Sequence, residues 1–215
     1  MTPDQRKTAS ETLLHKRGIR LNLQLPEIET NDEVRLRSVD EIAQRLIALS
    51  AVSGAASQRD QGRFRAYVRQ HNIEHWLSVQ ERAFLLNDAP DEEDFIRFSV
   101  KRECLFFLAW CGGLVKKIDI PSSESNVDTI LHWLPQNPEP PERLQSALQV
   151  RSKDAIMDWA DLLYRLHWAV RHAALIGKPT PANLHGGVVR EWHQAVNWMI
   201  GYEEEDNWDL VPTDT

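Results

Sequence analysis

The last third of the chain, residues 152–215, limits the fold more than any other stretch. From Ser152 it reads SKDAIMDWADLLYRLHWAVRHAALIG, and Ile156, Trp159, Leu163, Leu166 and Val170 recur at alternating steps of three and four. That spacing is the seam of an α-helix packed along its length. Gly177 ends the pattern, and Pro179 and Pro181 interrupt the link that follows. A second pattern, VVREWHQAVNWMIG, puts Val188, Trp192, Ala195, Val196 and Met199 on one face. A link this short makes the two helices antiparallel neighbours. The pair sets a helical frame that the rest of the sequence must cover.

The earlier residues fit that frame. Pro3 to Arg17 form an amphipathic helix stopped by Gly18. Ser38 with Glu41, and Ser78 with Glu81, have the spacing of a capping box. The first opens a helix over 39–56 that buries Ile42, Leu46 and Leu49 and turns Arg45 outward; the second opens a short helix. Phe64, Tyr67 and Val68 face inward from another helix over 63–70. Asp91 to Asp94 start a helix at 92–112, where Val100, Cys104, Phe107, Leu108 and Cys111 make a stripe. A further short helix is predicted at 124–133. In IRLNLQLP, Ile19, Leu21, Leu23 and Leu25 alternate with polar residues, which reads equally as half of a short hairpin or as an extended arm.

The segment PQNPEPPER could be a linker, but two helices alone are a poor independent core. The expectation is therefore a mainly α, single-domain multi-helix array spanning residues 1–215, of about seven or eight helices. At most one short β-hairpin is allowed, near 19–37. The proline-rich surface loop falls at 135–141, the C-terminal helix pair at 152–200, and a clasp at 207–215. In the clasp Trp208, Leu210 and Val211 supply burial. Asp209, Thr213 and Asp214 supply hydrogen bonds, by capping a helix end or pairing with Arg165 or Arg171.

Composition narrows the class. With 42% hydrophobic and 27% charged residues the chain is an ordinary globular one. No apolar run reaches the ~18 residues of a membrane helix, and the N-terminal residues lack the apolar core of a secretory signal, so a soluble, cytoplasmic protein is expected. Cys104 and Cys111 are seven apart on one helix, about 10 Å along its axis. A disulfide needs Cα atoms within about 7 Å, so both thiols stay free. The eleven acids of 88–94 and 203–214 exceed the whole net charge of −7, so the acidity is local. Such runs favour a protein partner with a basic surface. The basic stripe interleaved with aromatics that nucleic acid requires is missing.

Residues able to carry chemistry gather in the helix pair. Asp158, Asp161 and Arg165 lie opposite the seam, and Asp161 with Arg165 has ion-pair spacing. His167 is one position off the seam. His172, five further on, cannot join it on one metal, because i, i+4 is the spacing that converges. His193 meets His167 only if the antiparallel register allows it, and Glu191 and Asn197 flank it. No H-E-x-x-H, C-x-x-C, G-x-S-x-G or phosphate loop occurs, so neither a metal nor a cofactor is expected. HGGVV offers only a glycine pair before a helix, and the tryptophans read as packing.

The segments GIRLNLQLPEIET, VRLRSVDEIAQRL, KRECLFFLAWCGGL, DLLYRLHWAVRHA, VVREWHQAVNWMIGY and NWDLVPTDT together resemble a bacterial family of unknown function, DUF 4272. The resemblance runs from about Leu14 to Thr215 in the family's order. One departure is Trp192, standing between Glu191 and His193 where the family pattern places Arg. The resemblance implies no activity, cofactor or partner. Two readings follow. One is a non-catalytic protein-interaction or regulatory module. The other is an enzyme with its site between the last two helices. Its candidate residues are Asp161, Arg165, His167, Glu191 and His193, with Asp161 or Glu191 as base and His193 as acid or ligand.

Overall fold

A computed structural model describes residues 1–135 and 139–215. Nine α-helices occur among them: α1 (Pro3–Lys16), α2 (Val39–Gln58), α3 (Gln61–Gln70), α4 (Val79–Leu86), α5 (Glu92–Ser99), α6 (Arg102–Cys111), α7 (Glu142–Ala147), α8 (Lys153–Leu175) and α9 (Gly186–Ile200). The capping boxes form as their spacing requires. Ser38 Oγ accepts from the Glu41 amide (3.3 Å) while Glu41 accepts from the Ser38 amide (2.8 Å). Ser78 and Glu81 repeat this at 3.2 and 2.9 Å.

The helices pack in a continuous series. α1 lies on α8, α8 on α9, α9 on α6 and α6 on α2, with α3 and α5 also against α2. One connected apolar core runs through them. Its aromatic centre is Phe107, Trp110, Trp159 and Trp192, with ring centroids 5.4–6.3 Å apart. No helix among the described residues is long and apolar enough to cross a membrane.

The structure decides one open alternative and departs from the sequence reading in three places, at 92–112, at 124–133 and at Arg45. No strand occurs among the described residues, and 19–37 is the extended arm. Its carbonyls are satisfied by lysines: Lys7 Nζ donates to Leu23 O (3.1 Å) and Leu25 O (2.8 Å), Lys153 Nζ to Asn31 O and Val34 O (both 2.8 Å). The helix expected at 92–112 breaks into α5 and α6. At the break, i→i−3 bonds from Lys101 N and Glu103 N tighten the turn. Lys101 thereby reaches Glu191 (2.7 Å) and Gln194 (2.8 Å), and Val100 is left partly exposed.

Residues 124–133 form two 3₁₀ turns, Val127–Thr129 and Leu131–Trp133, in place of a helix. The count rises to nine through the α5–α6 break and through α7, which follows the prolines. The loop expected at 135–141 lies partly outside the described residues. Arg45 does not face out. It is buried against Glu81, its guanidinium 4.6 Å from the Trp208 ring. The α4 capping carboxylate points at α2 and draws it in.

Candidate functional site

The antiparallel register of α8 and α9 brings His167 and His193 together. Their Nδ1 atoms are 2.9 Å apart, and both side chains are buried. One turn further on, the Asn197 amide donates to Pro212 O (2.8 Å) and lies 3.3 Å from His193 Nε2. Asn197 therefore donates to Nε2, His193 carries its proton on Nδ1 and gives it to His167 Nδ1, and the His167 proton sits on Nε2. From Asn197, hydrogen bonds thus run one way to the 207–215 segment and the other way through His193 of α9 into α8. They require neutral rings, and burial supplies them. Burial, then Arg171 and Arg190, pushes His167 down to about 4; burial, then His167, pushes His193 down to about 3.

The three charged candidates are placed elsewhere. Asp161 takes a two-pronged contact from Arg165, Nε to Oδ2 at 3.0 Å and Nη2 to Oδ1 at 2.8 Å, with both side chains buried. Arg165 also reaches Glu11 of α1 (3.4 Å) and Pro26 O of the arm (3.1 Å). Glu191 faces α6, where Lys101 and the Cys104 thiol meet it; Cys104 Sγ is 3.2 Å from Glu191 Oε2. Burial first, then Glu191, pushes the Cys104 thiol well up. The five candidates form three separate networks: Asp161–Arg165, His167–His193, and Glu191 with Lys101.

His193 lines a cavity. It is a space of about 90 Å³ shared with Tyr164, Asn197, Tyr202 and Asp214, enough for about three waters. Tyr202 donates to Asp214 there (3.2 Å). Burial raises the Tyr164 and Tyr202 phenols, and Asp214 adds to both. Among the described residues no group of three or more His, Cys, Asp or Glu could hold a metal ion.

The 207–215 segment packs down. Trp208 and Val211 are buried, although Leu210 is exposed. Asp209 accepts from the Gln80 amide (3.0 Å) in the first turn of α4, and Gln194 donates to Trp208 O (3.1 Å). Arg171 meets Thr215 Oγ1 (3.1 Å), not an aspartate, and Arg165 takes no part.

The two acidic runs have different fates. In the first, Asp88, Glu92 and Asp94 pair with Arg65, Arg59 and Arg97, and Asp91 caps α5. In the second, Glu203 and Glu204 make no ion pair among the described residues. They edge a cleft of about 540 Å³ with Glu29, Glu33, Glu41 and Asp206, against Arg35 and Arg37. Arg37 is bound to Glu41, Asp206 and two carbonyls. Both Glu203 and Glu204 have positive φ (54° and 56°), a conformation costing about 1–3 kcal/mol per non-glycine residue. Sequence reasoning missed this cleft. Its signal was the acids of 27–33, which the arm carries to the second run.

No curated protein and no solved structure matches the chain. A family model described as Domain of unknown function (DUF4272) matches residues 6–211. That span is almost the whole sequence and takes in the arm, both histidines and Trp208, and the chain belongs to this family.

Proposed function

We propose that this protein is a non-catalytic interaction module, and that the acidic cleft between residues 29–41 and 200–206 receives a basic segment of a partner protein. The observation that carries the reading is the state of the candidate catalytic groups. Both ring nitrogens of His193 are engaged, both Asp161 oxygens are held by Arg165, and Glu191 is held by Lys101 and Cys104. A general base needs a free lone pair within reach of substrate. These groups instead tie α1, α6, α8 and the 207–215 segment together.

The cleft has the opposite character. Six acids face two arginines, and the outer pair of glutamates has no internal counter-ion among the described residues. Negative charge of that kind selects a basic partner and speeds its arrival. The test is titration with a short Lys/Arg-rich peptide at physiological salt. Two charge reversals are compared: Glu203→Lys with Glu204→Lys, and Asp91→Lys with Glu93→Lys. We expect the first to weaken binding about tenfold or more and the second less than about twofold. Equal losses from the two would mean diffuse attraction to an acidic protein and would sink the cleft assignment.

A further inference from the structure

A second cavity, distinct from the acidic cleft and from the histidine network, lies between α2, α3, α6 and the 3₁₀ turns at 127–133. It holds about 360 Å³, in the range of small-molecule sites, which starts at about 300 Å³. We propose that it binds a small amphipathic organic acid, an apolar body carrying one carboxylate.

The apolar half of the argument comes from shape. Ile47, Ala51, Leu105, Leu131 and the Phe64 ring form the walls. Phe64 can bring the tip of its ring this close to α2 only because residue 54 is glycine; a Cβ there would stand 2.6 Å from the ring. That close contact fixes the ring as a rigid side of the cavity.

The polar half comes from donors without acceptors. Tyr67 is 7% exposed, yet its hydroxyl has no hydrogen-bond partner among the described residues, and the same is true of buried Arg102 Nε at the cavity wall. Buried donors in native proteins are nearly always satisfied, and an orphan calls for a missing acceptor. Arg63 adds a cation at the rim, touching Gln58 Oε1 at 3.4 Å and making no ion pair among the described residues. Arg102 already meets Glu124 through Nη2 and stands 3.9 Å from Glu103 through Nε. The demand for a charged acceptor therefore rests on the Tyr67 hydroxyl and the unpaired Arg63. The side of the lining away from its one acid, Asp128, is the place a carboxylate would take. Burial, with Glu142 and Glu139 nearby, raises Tyr67 to about 12, which keeps the hydroxyl a donor at neutral pH. Ser50 and Ser57 line the same space and can turn their hydroxyls to either role.

The test uses the full chain with phenylacetate and octanoate as probes and phenylacetamide as the neutral counterpart, followed by calorimetry and thermal shift. One of the two acids is expected to bind with a dissociation constant at or below about 1 mM, and the amide more weakly. Tyr67→Phe removes only the orphan hydroxyl. It should leave the unliganded melting temperature unchanged or higher and weaken the acid about tenfold, the effect of one hydrogen bond to a charged acceptor. Ser50→Leu places a branched side chain in the cavity and should abolish binding. No binding of either acid, equal binding of the amide, full affinity in both variants, or a Tyr67→Phe protein of lower melting temperature would each overturn the proposal.

Discussion

The α8–α9 interface and the α2–α3–α6 cavity both bury polar groups, and they treat them in opposite ways. On α8 and α9, Asp161 and Arg165 against α1 and the arm, and His167, His193 and Asn197 across the pair, have partners at hydrogen-bonding distance. Trp192 Nε1 and His172 Nε2 are exceptions among the described residues. Around the cavity, the Tyr67 hydroxyl and Arg102 Nε have none among the described residues, although Arg102 meets Glu124 through Nη2. A satisfied network rigidifies, because each member fixes its neighbour. An unsatisfied one sets a demand that something outside the chain can meet. Chemical reactivity of residue type is therefore a poor guide to function here, and the state of the lone pairs is a better one.

The comparison breaks most readily at Asp161. Asp161→Ala leaves Arg165 charged and buried, and should cost about 3–5 kcal/mol in urea unfolding. The paired change Asp161→Leu with Arg165→Met removes both charges and should restore most of that loss. If the single variant unfolds like the parent, the interface is not the closed network described. Trp208→Ala should cost about 3 kcal/mol, at the low end for a buried Trp because the ring lies at the core edge under Arg45. A loss under about 1 kcal/mol would show the 207–215 segment to be a loose cover.

The histidines give the next effect, through pH. Both have folded-state values below the ordinary 6.5, at about 4 and about 3, so below 6.5 the unfolded chain takes up protons that the folded one refuses. Stability is therefore complete above 6.5 and falls as pH drops toward 4. The loss should be about 2 kcal/mol per histidine, about 4 kcal/mol for the pair, between about pH 7 and pH 5. Unfolding midpoints across that window check it, and His193→Gln should flatten the slope.

The smallest effects sharpen the contrast. Tyr202→Phe loses a bond to Asp214 and should cost about 1 kcal/mol, whereas Tyr67→Phe loses none and should cost nothing.

Local signals in the sequence translated well. The capping boxes at Ser38 and Ser78 were readable because their partners are three residues apart. The seam of α8 was readable because a helix repeats. What failed needed knowledge of distant neighbours. Arg45 turns inward for Glu81, 36 residues away, and Lys101 breaks a helix to reach Glu191, 90 residues away. The meeting of His167 and His193 depended on register, and no residue in the short link specifies it. The cavity was least legible, because four separate stretches build it and its defining property is an absent acceptor.

The docking of α1 also sets an order of events in time. Arg6, 1% exposed, holds Asp154 (3.1 Å) and Asp158 (2.8 Å) of α8, and Arg165 of α8 reaches back to Glu11. These contacts join residues about 150 positions apart, and closing so long a loop precedes any gain from the contacts it permits. Helix α1, made well before α8, is thus among the last to find its place. Until α8 exists, Leu14 and the rest of its inner face stay open to solvent, and to any chaperone that recognises apolar helices.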